Sequence, residues 1–171
     1  GDRVKTGEKS IAVVKFKDNS LVRVRELSVL TVTGETRSTS FSKSVNVEKG
    51  VVGFNIHKQK SDEEFRFTSP TSVASIRGTG GQFTAREMSD TLVVVEGAVH
   101  LTNKMSSQSV EVLAGFTGIS NPDGTIETRP STTEERQAAT QSSRTSEQEN
   151  KLELEFRDGK GTRKQLKIDY K

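Results

Sequence analysis

From Ser10 to Ser120 the sequence is a succession of short apolar runs broken by polar residues, and no part of it keeps a helical period. The first runs are "SIAVVKF" (10–16), "LVRVREL" (21–27), "VLTVT" (29–33), "SVNVE" (44–48) and "VVGFNIH" (51–57). Residues two apart on a strand share a face, so Val22 and Val24 take one side of a sheet and Arg23 and Arg25 the other. Asp18-Asn19-Ser20, Gly34 and Lys49-Gly50 separate the runs, and these are residues that turn a chain back on itself. The series continues through "EEFRFTS", "GQFTAREM", "TLVVVEGAVHLTN" and "SVEVLAGFTGIS". Strand signals about ten residues apart fit a sandwich, a barrel or a solenoid. The expectation is an all-β domain over residues 1–120, β-solenoid-like or jelly-roll-like with antiparallel strands, followed by a C-terminal β-hairpin.

Composition narrows this further. Apolar residues make up 30% of the 171, so the core between sheet faces is thin. Lysine and arginine number 26 against 23 acids, a net charge of +3, and the charges alternate in sign along the strands, as in "KFKDNSLVRVRE". That is the pattern of a solvated strand face rather than of a nucleic-acid footprint. The absence of cysteine excludes disulfides, thiolate zinc sites and cysteine nucleophiles. The longest apolar run, Leu92 to Val95, is strand length and far short of a membrane span. The chain opens at Gly1 without methionine, so either an export signal has been removed or the chain has been trimmed.

Two segments resemble each other: "VNVEKGVVGFNI" (45–56) and "VVVEGAVHLTN" (93–103) each read valine-rich strand, Glu, Gly, second strand. They are either rungs of a coiled sheet or two ordinary tight turns. Residues 121–150 are nearly devoid of apolar side chains and read as a polar linker, in which Thr133 caps a short helix through Ala139 with no apolar stripe to hold it down. In residues 151–171 Leu152, Leu154 and Phe156 share one strand face, and Leu166, Ile168 and Tyr170 another, around Asp158-Gly159-Lys160-Gly161. This is a hairpin, marginal by itself in water, so its apolar face docks on its own domain or on a partner.

The stretch "SPTSVASIRGTGGQF" (69–83) invites a phosphate-loop reading, but neither glycine spacing fits a nucleotide motif and a strand, not a helix, follows. It reads instead as a structural corner. Pro70 ends a strand, Gly78, Gly80 and Gly81 allow positive φ or close backbone approach, and Ile76 and Phe83 return the chain to the core. Arg77 offers five donors to strand-end carbonyls or a carboxylate. Ser69-Pro70-Thr71-Ser72-Val73-Ala74-Ser75-Ile76-Arg77-Gly78-Thr79 with Phe83 resembles the signature of the FecR domain family, T-P-x-[SA]-x-A-x-[VI]-[RK]-G-T-x-F. The opening "GDRVKTG" with "DNS", then "VEKGVVGFNI" and "VVVEGAVHL", is similar to further motifs of that family, in order. Ser69 replaces the usual Thr, and residues 80–82 include an insertion before Phe83.

The resemblance implies a strand-built domain of the bacterial periplasm or cell envelope, whose best-known relatives relay signals from outer-membrane receptors to sigma factors. Neither the membrane span nor the cytoplasmic helical portion of those regulators is visible in this sequence. His57 and His100 read as solvated strand residues, Asp62-Glu63-Glu64 lies in a lysine-containing turn, and no serine stands in a nucleophile elbow. The expectation is therefore a non-catalytic envelope module without cofactor or metal, binding other envelope proteins. Its candidate corner is Pro70, Arg77, Gly78, Thr79, Gly80, Gly81 and Phe83, and its candidate partner contacts are Leu154, Phe156, Leu166, Ile168 and Tyr170. A subunit of a periplasmic assembly such as a flagellar filament or sheath, a cell-wall glycan binder and a sigma-regulator-like sensor are the alternatives.

Overall fold

The computed structural model describes residues 1–37, 40–59, 63–143, 150–157 and 163–170, of which 35–37, 40–41, 150–157 and 163–170 are described as backbone only. Fifteen strands and one helix follow in the order β1 (Asp2–Lys5), β2 (Ala12–Lys15), β3 (Leu21–Val24), β4 (Val29–Arg37), β5 (Ser40–Ile56), β6 (Glu63–Thr68), β7 (Ser72–Ile76), β8 (Thr79–Ala85), β9 (Asp90–Glu96), β10 (Ala98–Asn103), β11 (Ser109–Leu113), β12 (Phe116–Ser120), β13 (Ile126–Pro130), α1 (Thr133–Ser143), β14 (Asn150–Arg157) and β15 (Arg163–Tyr170). The first thirteen strands form one hydrogen-bonded network.

The network has two layers. Sheet A runs β1-β4-β5-β6-β7-β10-β11, and sheet B runs β2-β3-β5-β8-β9-β12-β13. Strand β5 belongs to both. Its first half pairs with β4 and β6, its second with β3 and β8, and the strand bends between them at Gly50, where φ is +107°. Lys49-Gly50 is thus a bend within one strand and not a turn between two. Every neighbouring pair is antiparallel except β5 with β6. At the far edges β11 lies against β13, so the sheet is nearly closed and barrel-like.

The chain takes the order A-B-B-A-A-B twice, once through β1 to β5 and again through β7 to β12. Three of the crossings in the second pass fall at Gly78, Gly97 and Gly115, with φ of +85°, +82° and +84°. A residue with a side chain adopts these angles only with strain, which is why glycine recurs there. The two similar segments mark two such crossings: Gly50 leads from sheet A to sheet B and Gly97 leads back.

One apolar cluster fills the space between the layers. Val22 and Val24 are fully buried in it, and Phe54 and Phe83 of sheet B meet Phe67 of sheet A with ring centroids 5.0 and 5.9 Å apart. Each buried phenylalanine contributes about 1.5–3 kcal/mol by leaving water, so three interlocked rings do much to hold the layers together.

Residues 121–143 differ from the linker expected of them. Strand β13 pairs along the whole of β12, and α1 lies on the outer face of sheet B over β3, β5, β8 and β9. The helix needs no apolar stripe because it docks through small residues: Ala139, Ser142 and Ser143 are buried. Gly53 receives them, and a Cβ built there would stand 2.0 Å from the Ser142 carbonyl oxygen. Arg23 donates from Nη1 to the Ser143 carbonyl at 2.7 Å and is 7% exposed, so this arginine is covered by the helix rather than solvated. Burial alone lowers its pKa from the ordinary guanidinium value.

At the other end Thr132, one residue before the expected Thr133, forms a capping box with Glu135. The Thr132 amide donates to Glu135 Oε2 at 2.8 Å, and the Glu135 amide donates to Thr132 Oγ1 at 3.2 Å. Arg129 adds two hydrogen bonds to the same carboxylate, at 2.9 and 2.7 Å. Strands β14 and β15 pair antiparallel, Leu152 opposite Ile168 and Leu154 opposite Leu166, in a sheet separate from the network. The side chains of Leu154, Phe156, Leu166, Ile168 and Tyr170, and the bend between the strands, lie outside the described part. Among the described residues no helix is long and apolar enough to cross a membrane.

Candidate functional site

The segment 69–83 carries the chain from sheet A to sheet B. Pro70 lies in the turn between β6 and β7, Arg77 and Gly78 form the crossing, and Gly80 and Gly81 are inside β8. Only Gly78 of these three glycines has a positive φ. Gly81 serves close approach, since a Cβ there would lie 2.3 Å from the Val93 carbonyl oxygen. Gly80 has open space beside it and sits where the β8–β9 register slips by one residue, a bulge. Thr79 donates from Oγ1 to the Ala98 carbonyl at 3.0 Å, tying this crossing to the one at Gly97, and Phe83 is in the core.

Arg77 is exposed and makes no direct hydrogen bond, so the tie to strand-end carbonyls expected of it is absent. It stands on the rim of a cleft of about 530 Å³ on the outer face of sheet A, with Glu64, Ser75, His100 and Glu111 on the walls and Gly78 and Gly97 at one end. The strand register builds this row, because Arg66 lies opposite Ser75, Ser75 opposite His100, and His100 opposite Glu111. Ser75 donates from Oγ to Glu64 at 3.1 Å. The hydrogen bond from Arg66, against the opposing effect of burial and with help from Ser75 and the charge of Arg77, holds the Glu64 carboxyl below the usual range. His100 Nε2 is 3.8 Å from Glu111, both exposed. His57 has no part in the cleft, and no cluster of three or more metal-binding side chains occurs among the described residues.

Several motif residues turn out to be fasteners. Asp90, at the head of β9, is 1% exposed, and the hydroxyls of Ser69, Thr71 and Ser72 all donate to its Oδ2. These three hydroxyls belong to the turn before β7 in sheet A, so one buried carboxylate of sheet B clips the two layers together at this end. Lys104 donates to the Ser69 carbonyl from the β10–β11 turn. Thr6 donates to the Arg25 carbonyl at 2.6 Å and accepts from the Ser28 amide at 3.0 Å, closing β1 onto the turn before β4. Asp18 accepts from the Ser20 amide at 3.1 Å and from the buried Lys43 at 2.7 Å. Burial pushes the Asp18 pKa up, but the bonds from Lys43, Gln59 and Ser20 outweigh it and leave the carboxyl well below its usual range.

Asp90, Lys43 and Arg23 were not singled out by sequence reasoning. Asp90 had left a trace: it shares its parity on β9 with Leu92 and Val94, and an acid in an inward position needs partners. The contacts of Asp90 include no histidine, so its hydroxyl donors have no base within the cluster.

Comparison with known proteins agrees with this picture. No curated protein matches. Two crystal structures of a "putative anti-sigma factor" from Parabacteroides distasonis ATCC 8503 share the fold, with TM-scores of 0.66 and 0.67 at 17% identity. The similarity covers 80% of this chain and 63% of that one, so the chain spans less than two thirds of its structural neighbour. A family model described as FecR protein matches residues 2–100, more than half of the sequence and the part that holds both the crossing and the cleft. By that match the chain belongs to the FecR family.

Proposed function

We propose that this domain is a non-catalytic protein-binding module of the bacterial periplasm or cell envelope, working within a signal relay as FecR-type regulators do. The family match over residues 2–100 carries the reading. The fate of the polar motif residues supports it. Thr6, Asp18, Ser69 and Thr79 are all engaged in bonds within the fold, which leaves the surface as the working part. The cleft beside Arg77 is the surface proposed to meet the partner, because it offers a guanidinium with no hydrogen-bond partner of its own. The antiparallel neighbours favour a jelly-roll-like over a solenoid-like description of the winding.

Crosslinking in the native cell, followed by mass spectrometry, tests this. Recovery of one receptor or regulator, lost on Arg77→Glu, agrees with the proposal. Recovery of an abundant filament or of wall glycan in its place overturns it in favour of a structural subunit or a glycan binder.

A further inference from the structure

The edge of sheet B at β2 is open. Among the described strands β2 pairs with β3 alone, Ala12 opposite Val24 and Val14 opposite Val22. The Phe16 amide donates to the Ser20 carbonyl at 2.9 Å, which makes 16/20 a hydrogen-bonded pair. Such pairs alternate in an antiparallel ladder, so 14/22 and 12/24 are bonded too, and the amides and carbonyls of Val13 and Lys15 face away from β3. The side chains at this edge are apolar and uncovered: Ile11 is 57% and Val13 52% exposed. Lys9, Lys15 and Lys17 continue the same alternation on either side. An open edge that is apolar in the middle and cationic at its ends selects a strand that alternates apolar and acidic residues.

The chain contains one such strand. Along β14 the sequence reads Leu152-Glu153-Leu154-Glu155-Phe156, and β14 is bonded on only one side, to β15. Helix α1 ends at Ser143, whose carbonyl is held by Arg23, and Arg23 lies directly opposite Val13. Six residues, 144–149, separate that point from β14, a reach of at most about 20–22 Å when extended. Within one chain the two edges stay apart, since β14 and β15 form a sheet of their own. We propose that the β2 edge takes up strand β14 of a second copy of this chain, extending sheet B by the hairpin and covering Ile11 and Val13. Two different patches meet in this contact, so it closes as a pair only if both copies exchange hairpins, and otherwise it builds a ladder.

Sedimentation velocity of the full chain over a concentration series tests the proposal. Val13→Pro removes an outward-facing amide and no ladder bond to β3, so it blocks the edge while leaving the sheet intact. Leu152→Lys/Leu154→Lys spoils the donor strand without touching β2. Each variant is expected to weaken self-association by about tenfold or more, and an equimolar mixture of the two is expected to form a mixed dimer, since each supplies the half that the other lacks. A full chain that stays monomeric throughout, variants that associate like the parent, or a mixture that fails to pair overturns it. Loss of the Arg77-dependent crosslink leaves self-association untouched, so the two proposals fail separately.

Discussion

Asp90→Ala is the sharpest test of how the two layers are joined. The carboxylate accepts three hydroxyl bonds on Oδ2, from Ser69, Thr71 and Ser72, in a site with almost no solvent access. A hydrogen bond to a charged group contributes about 1.5–3 kcal/mol. Three donors crowd one oxygen, so the sum is taken near the lower end. Two terms reduce it: Ser69 and Ser72 keep a mutual contact at 3.3 Å, and Oδ1, the buried oxygen without a partner, no longer has to be desolvated. The expected loss is about 3–4 kcal/mol, large against the 5–15 kcal/mol that stabilises a typical domain. Asp90→Asn keeps an acceptor at Oδ2 and removes the charge, for an expected loss of about 1–2 kcal/mol. Urea unfolding followed by circular dichroism measures both. If Asp90→Ala loses less than about 1 kcal/mol, or if Asp90→Asn is the more damaging of the two, the clip reasoning is wrong.

Acidification should loosen α1. The hydrogen bonds from Arg129, against the opposing effect of burial and with the Thr132 amide and Thr117, hold the Glu135 carboxyl at about 2 instead of 4.5. A depressed carboxylate stabilises the fold above its unfolded value and loses that contribution as pH falls from 4.5 toward 2, so amide exchange in α1 should accelerate across that window and do so less in Arg129→Gln. Gly53→Ala places a methyl group against the Ser142 backbone and must lift the helix end, costing about 1–3 kcal/mol as the Arg23 and Gln82 bonds lengthen; unchanged exchange protection at the end of α1 would contradict this. Gly78→Ala forces a side chain into φ +85° and within 3.0 Å of Lys58 Cα, for an expected loss of about 1–2 kcal/mol in the same urea assay, whereas Gly80→Ala, with open space and ordinary strand angles, should lose much less.

What was legible in the sequence was local. Alternation along "LVRVR" puts Val22 and Val24 in the core, and strand length with polar punctuation gives an all-β chain, because both signals act between neighbouring residues. The hydroxyls of Ser69, Thr71 and Ser72 look like ordinary turn residues until Asp90, 18 to 21 positions later, is folded against them. Helix α1 was missed for a related reason. Apolar periodicity is the usual sign of a docked helix, and this one docks through Ala139, two serines and a glycine on another element, which no window along the helix can reveal. Arg77 shows the converse: its position at a crossing was readable, its lack of a hydrogen-bond partner was not.

The shared strand β5 has a mechanical implication. Because a single covalent backbone runs from one layer into the other through Gly50, a pull or tilt applied to one sheet cannot be absorbed by sliding at the interface alone; it must also change the angle at that glycine. A partner gripping the outer face of sheet A is thereby geared to the opposite face, where α1 leads into the C-terminal hairpin, and the stiffness of one bend sets how faithfully such a motion would be passed across.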